Sequence, residues 1–291
     1  MESKPLRIIA PLAVLLLFYW AIYVAPLMTG KDSAILNAEQ AHEIFDESRF
    51  QLHEKKYQEA LELTERLNKA FPQNHIYLEQ LATIHHYLGN FKEEADAWER
   101  YMLYSPTPLD ACPQFGEAYR ALNRIPEMFE ACKKCYELDP RNTYSIFFLA
   151  LSYERLGQLE KAQELYEKGV EIYPIYPDLR IGLTRIHIRL GNLAQARAII
   201  TKVYEEYPDN VDGLLAMGVL LRAEGRAGEA KMFLERGVEL SPRYTDFYIV
   251  LAGIAESEGN REDAVAYYDK VLELAPDNPD IESKRKRLLG G

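Results

Sequence analysis

Seven prolines recur at a fixed interval of 34 residues, in a chain where only 15 of 291 residues are proline: Pro72, Pro106, Pro140, Pro174, Pro208, Pro242 and Pro276. Two further columns keep the same period. One is Gly89, Gly157, Gly191, Gly225 and Gly259; the other is Ala60, Ala162, Ala196, Ala230 and Ala264. A period of this length predicts similar units whose neighbours bury a continuous core between them.

Each interval is predicted to hold two helices. In residues 143–174, the i, i+3, i+4, i+7 spacing of a buried helical face is shown by Ile146, Leu149, Ala150 and Tyr153. Gly157 then supplies the residue that ends a helix with a positive φ, and Pro174 closes the unit. A second face between them includes Ala162, whose small side chain lets two helices approach closely.

This helix–turn–helix pattern resembles the tetratricopeptide repeat, which has 34 residues, an Ala in its second helix and a closing Pro. The resemblance covers residues 41–278 as seven repeats. It implies an all-α, right-handed superhelical solenoid whose first helices line a concave peptide-binding groove. Residues 279–291 are predicted to form a polar helix that caps the last apolar face.

The N-terminal region predicts a membrane anchor. Residues 8–28 carry no charge, and as a helix they would span about 31 Å, enough for a bilayer core. We expect residues 1–7 to be cytoplasmic because Lys4 and Arg7 precede the span, and residues 29–40 to form a linker. The repeats would then be extracytoplasmic, and periplasmic in a bacterium. A cleaved signal peptide and an inverted, cytosol-facing array remain as alternatives.

The charge balance argues against nucleic acid as a partner, because 34 basic and 45 acidic residues give a net charge of −11. No phosphate-binding loop, nucleophile elbow or metalloprotease motif occurs in the sequence. We therefore predict a protein that is not an enzyme and that has no cofactor and no metal. Its expected partners are other proteins or peptide segments.

The family's groove positions, carried over to this chain, give a lining of arginine and aromatic residues. The candidate partner-binding residues are Phe45, Arg49, Tyr87, Arg120, Tyr144, Phe147, Arg155, Arg185, Arg189 and Arg222. This mixture is suited to a peptide that carries carboxylates. Acidic residues also fall near helix starts, where capping and dipole compensation explain them: Asp110, Asp178, Asp212 and Asp246.

Three cysteines occupy core positions of the third repeat, and we interpret Cys112, Cys132 and Cys135 as small buried hydrophobic residues. A disulfide from Cys112 to either of the other two is an alternative outside the cytoplasm. The Cys132–Cys135 pair also supports an alternative function, a thiol-dependent accessory factor in oxidative folding or cytochrome maturation.

The second repeat departs from the alanine column, because Glu94 stands where five other repeats have alanine. A carboxylate at a helix contact needs a polar partner or must turn out to water. We consider a Glu94–Tyr101 hydrogen bond, or a shifted register in which Ala95 or Ala97 faces inward.

Together these features predict a membrane-anchored scaffold that holds partner proteins beside the membrane, in envelope complex assembly, secretion or protein biogenesis. The anchor would raise the concentration of nearby partners, and a rigid groove would bind them with little ordering cost.

Overall fold

The structure, a computed structural model, describes residues 36–290, and every regular element in this range is helical. The range divides into two compact units that meet in sequence at Ala111 and Cys112. The first unit holds α1 (Ala38–His53), α2 (Tyr57–Ala70), α3 (His75–Leu88), α4 (Phe91–Tyr104) and a 3₁₀ helix (Pro108–Ala111). Helix α1 begins at Ala38, inside the predicted linker 29–40. The last residues of that predicted linker therefore belong to the helix.

The second unit is a stack of helix pairs followed by a single helix. Its elements are α5 (Cys112–Ala121), α6 (Ile125–Leu138), α7 (Thr143–Arg155), α8 (Leu159–Ile172), α9 (Pro177–Arg189), α10 (Leu193–Glu206), α11 (Val211–Ala223), α12 (Ala227–Leu240), α13 (Thr245–Ser257), α14 (Arg261–Leu274) and α15 (Pro279–Gly290). The predicted all-helical repeat architecture is therefore confirmed.

The predicted membrane anchor, residues 8–28, lies outside the described residues. Within residues 36–290, none of the helices combines the length and the apolar character that crossing a membrane requires.

The turn between the two helices of a pair places one residue in the left-handed region. Five of these residues are the glycines of the repeat column, with φ between +72° and +78°. Lys55 and Asn123 occupy the equivalent sites in their own repeats, with φ of +61° and +53°. A side chain with a Cβ is strained in this conformation, Asn less than Lys, so the turn geometry is kept there at a cost in stability.

Small residues set the distance between neighbouring helices in the second unit. Its column alanines, Ala162, Ala196, Ala230 and Ala264, have no exposed surface. Glycines make still closer approaches: a Cβ added at Gly237 would lie 2.1 Å from the ring of Phe247, and one at Gly182 would lie 2.3 Å from the ring of Tyr166. The large side chains facing these positions fill the space that a Cβ would need.

The three cysteines are buried as predicted, but they do not all pack as separate thiols. Cys112 on α5 forms a disulfide with Cys135 on α6, with the two Cα atoms 6.0 Å apart. Cys132 is a free thiol, and burial raises its pKa to about 12. This corrects our packing interpretation for Cys112 and Cys135, and it leaves the Cys132–Cys135 pair without two free thiols.

Glu94 is buried, and its carboxylate lies 3.2 Å from Nδ1 of His86. The hydroxyl of Tyr101 instead lies 3.3 Å from the hydroxyl of Thr107. A histidine on the preceding helix, which our interpretation did not consider, therefore provides a polar partner for the carboxylate. Ala95 and Ala97 are also buried, so this helix has a wide inward face.

Helix α15 covers the end of the second unit. Ile281 is buried among Tyr248, Ala252, Tyr268 and Val271, while Leu289 is exposed. The basic side chains of α15 form ion pairs with carboxylates, including Arg287 with Glu256. The last apolar face is therefore covered by one helix with a charged outer surface.

Two glycines on α12 provide a matched test of this packing. We expect Gly237→Ala to lower the free energy of unfolding by about 1–3 kcal/mol, because the new methyl group collides with Phe247. Gly228 has open space around its Cβ position, so Gly228→Ala should raise stability by up to about 1 kcal/mol through helix propensity. Urea denaturation of both variants measures the difference, and equal stabilities would contradict the packing argument.

Candidate functional site

The first helices of successive pairs form one continuous face of the second unit. Helices α5, α7, α9, α11 and α13 each pack against the next in this series. Together they line a cavity of about 350 Å³, a size typical of ligand sites. Its apolar floor consists of Phe147, Leu151, Ile188, Leu215, Ala216 and Val219.

Five predicted groove residues come together at this cavity: Arg120, Phe147, Arg155, Arg185 and Arg189. Two others from the same unit lie outside its lining. Tyr144 is 43% exposed and packs its ring against Tyr176, and the guanidinium of Arg222 lies over Gly253 of α13. The family's groove positions thus identify much of the cavity, although not every one of them reaches it.

The remaining three candidates belong to the first unit, where two of them line a separate pocket. Arg49 and Tyr87 line this pocket, and the ring of Tyr87 stacks on Tyr57 with 5.0 Å between centroids. The guanidinium of Arg49 lies 5.9 Å from the ring centroid of Phe45. Phe45 also packs against Tyr77, so its main contacts are with other rings and with Arg49.

A buried ion pair forms one side of the cavity in the second unit. Glu154 on α7 is 7% exposed and accepts two hydrogen bonds from Arg185 on α9, at 3.2 and 3.0 Å. The hydroxyl of Tyr166 on α8 donates to the same carboxylate at 3.2 Å, and burial raises the pKa of this tyrosine. Burial opposes the charge of Arg185, but contacts with Tyr166 and Glu154 outweigh it and raise its pKa.

These contacts make Arg185 structural. Its removal would leave the Glu154 carboxylate buried beside fewer donors, which typically costs about 3–5 kcal/mol. Arg189 is similarly engaged, because it donates to the Glu154 carbonyl at 3.0 Å. Arg120 pairs with Glu117 on the same helix.

Arg155 differs from these three arginines. Its side chain lines the cavity and is exposed, and within residues 36–290 it forms no hydrogen bond or ion pair. Among the arginines that line the cavity, Arg155 is therefore the one with an uncommitted guanidinium in the described part of the chain.

Three carboxylates in the cavity lining form the acidic wall, which we define as Asp178, Asp212 and Asp246. They lie in the first turns of α9, α11 and α13 and line the cavity. Burial raises the pKa of both Asp178 and Asp246, and the charge of Asp212 raises them further. Tyr244 donates a hydrogen bond to Asp212 at 2.8 Å.

Capping and dipole compensation, our sequence interpretation of these aspartates, therefore describe only part of their environment. The 34-residue spacing of the acidic wall was visible in the sequence, and it was the available signal that these carboxylates lie side by side. Within residues 36–290, no group of three His, Cys, Asp or Glu side chains is arranged to hold a metal ion.

The raised pKa values predict a pH-dependent effect on stability. A carboxyl whose pKa is higher in the folded than in the unfolded state destabilises the fold while it is ionised. This destabilisation disappears as the pH falls from the folded pKa to the unfolded pKa. We expect Asp178→Asn/Asp246→Asn to be more stable than the parent at pH 7, with the difference vanishing below the ordinary value of 3.8.

Denaturation curves at several pH values measure this difference, and the exposed Asp277→Asn is the control. A double variant that is less stable than the parent at pH 7 would contradict the assignment of a burial penalty.

Comparison with known proteins agrees with this geometry. Two tetratricopeptide repeat models match the sequence, one at residues 155–218 and 221–288 and the other at residues 109–142. Together the matches span more than half of the 291 residues. A search of curated proteins found no match.

Solved structures show the same fold. A tetratricopeptide repeat protein from Parabacteroides merdae has a TM-score of 0.76 at 16% identity, covering 87% of this chain and 100% of its own. A thermophilic protein of this kind from Thermus thermophilus has a TM-score of 0.58 at 21% identity, covering 63% and 100%. The Cut9–Hcn1 hetero-tetramer of APC/C gives 0.61 at 14% identity, covering 84% and 48%.

The 34-residue period, the paired helices and the matched family models lead to one conclusion: the chain belongs to the tetratricopeptide repeat family.

Proposed function

We propose that this protein is a non-enzymatic, membrane-anchored scaffold that binds a segment of a partner protein in the cavity of its second unit. Tetratricopeptide repeat proteins generally mediate protein–protein interactions, so the family supports a binding role. The observation that carries the proposal is Arg155, an exposed cation without an ion pair in residues 36–290, at the wall of a preformed cavity with an apolar floor.

The energetics of such a site favour binding. The five first helices that line the cavity are fixed by packing, so little conformational entropy would be lost when a partner binds to them. The apolar floor can bury partner side chains, and Arg155 can pair with a carboxylate while both are shielded from water.

Two independent features support the proposed location. Residues 8–28 form an uncharged run long enough to anchor the chain, and basic residues precede it. The Cys112–Cys135 disulfide is typical of an oxidising compartment outside the cytoplasm. We therefore propose that the repeats lie on the extracytoplasmic side of a membrane and act in envelope complex assembly, secretion or protein biogenesis.

The alternative of a thiol-dependent factor receives less support. Cys135 is bonded to Cys112, and the remaining thiol of Cys132 is buried with a raised pKa. A nucleophilic cysteine needs a stabilised thiolate and access to its substrate, and Cys132 has neither.

A photo-crosslinking amino acid tests the cavity directly. Placed at Val219, in the cavity floor, it should give a discrete partner adduct in intact cells, whereas placed at Met232, on the exposed surface of α12, it should not. Adding Arg155→Glu should reduce the Val219 adduct about tenfold, because a repulsive charge replaces an attractive one.

The matched control is Arg66→Glu, which reverses an exposed arginine on α2. An adduct at Val219 that is unaffected by Arg155→Glu, or equal adducts at Val219 and Met232, would contradict binding in the cavity.

Counting thiols tests the location. In protein taken from acid-quenched cells and alkylated after denaturation without reductant, we expect one modified cysteine, Cys132, and three after reduction. Three modified cysteines without reductant would contradict an extracytoplasmic position of the repeats.

A further inference from the structure

The lining of the cavity carries both signs of charge, with arginines at the ends of first helices and aspartates at the starts of first helices. Arg155 at the end of α7 is close enough to Asp246 at the start of α13 for its charge to act on that carboxyl. Arg120 at the end of α5 interacts in the same way with Asp212. Arginines at the ends of earlier helices therefore interact with aspartates at the starts of later ones, and we define Arg120 and Arg155 as the basic wall.

The charges of the acidic wall are not fully compensated inside the molecule. Asp178, Asp212 and Asp246 are on successive first helices, and they repel one another. Arg185, whose charge acts on Asp178 and Asp246, is held by Glu154 through two hydrogen bonds. A ligand cation placed against this wall would relieve the repulsion. A ligand carboxylate would find the guanidinium of Arg155, which has no ion pair within residues 36–290.

The placement of the charges favours an extended occupant. The arginines lie at the ends of first helices and the aspartates at the starts of first helices, so the two signs of charge border the cavity at different places. In an extended segment, successive side chains point to opposite sides. Two adjacent residues of opposite charge would therefore each reach the wall of complementary sign.

We propose that the cavity recognises an extended peptide segment in which a basic residue is directly adjacent to an acidic one. The basic side chain binds the acidic wall, the acidic side chain binds Arg155, and flanking apolar residues contact the floor at Leu215 and Val219. This proposal rests on the proposed function and specifies the chemistry of its partner.

Three short peptides, blocked at both ends and labelled with a fluorophore, test this chemistry on the full-length protein in detergent. Each has apolar flanks around a central pair, which is Lys-Glu, Lys-Lys or Glu-Glu. We expect the Lys-Glu peptide to bind about tenfold more tightly than either like-charged peptide, as measured by fluorescence anisotropy. Equal affinities, or no binding by any of the three, would overturn the proposal.

Two protein variants assign the walls. Arg155→Glu should reverse the preference, so that the Lys-Lys peptide binds more tightly than the Lys-Glu peptide. Asp246→Asn should weaken the Lys-Glu peptide several-fold and leave the Glu-Glu peptide unchanged or strengthened. Unaltered preferences in both variants would show that the peptides bind elsewhere and would overturn the assignment.

The two proposals fail in different ways. If the crosslinked adduct at Val219 depends on Arg155 but the three peptides bind equally, the cavity binds a partner of other chemistry. If the adduct is absent while the Lys-Glu peptide binds selectively, the recognition is correct and the cellular role is wrong.

Discussion

The close approach of neighbouring helices is the constraint on which the second unit depends. At the crossings the limiting atom is a Cβ, and the chain places alanine or glycine there with a large ring or branched side chain opposite, as in Gly237 with Phe247 and Gly182 with Tyr166. The helices can then pack at a repeated distance, and their first members form one lined face. The cavity is lined by five first helices that pack in series, so this distance is kept four times in succession.

The repeat architecture could be predicted from the sequence because its causes are local and periodic. The glycine, alanine and proline columns each act within one helix pair, so they are visible at a fixed spacing. Lys55 and Asn123 were not recognised as members of the glycine column, because they keep its positive φ although neither residue is glycine. The pairing of Cys112 with Cys135 depends on which core positions face each other, and spacing left two choices open.

The candidate site was predictable in its residues but not in its arrangement. Helical position places Arg155 and Arg185 on the inner face. It cannot show that Glu154 binds Arg185 while Arg155 has no ion pair in the described part of the chain. Nor can one repeat show that the end of α7 comes near the start of α13, since this proximity accumulates over several pairs. Individual roles therefore required the assembled unit.

The contact made by Glu154, Tyr166 and Arg185 occurs again in Glu256, Tyr268 and Arg287, with the same sequence separations of 12 and 31 residues. Helix α15 is thus joined to the pair before it much as α9 is joined to its own predecessor. Because the terminal helix is held by the same contact as an internal helix, its attachment does not depend on how many helix pairs precede it. The fold therefore leaves the length of the array open, and the span of the surface to be recognised can determine the number of repeats.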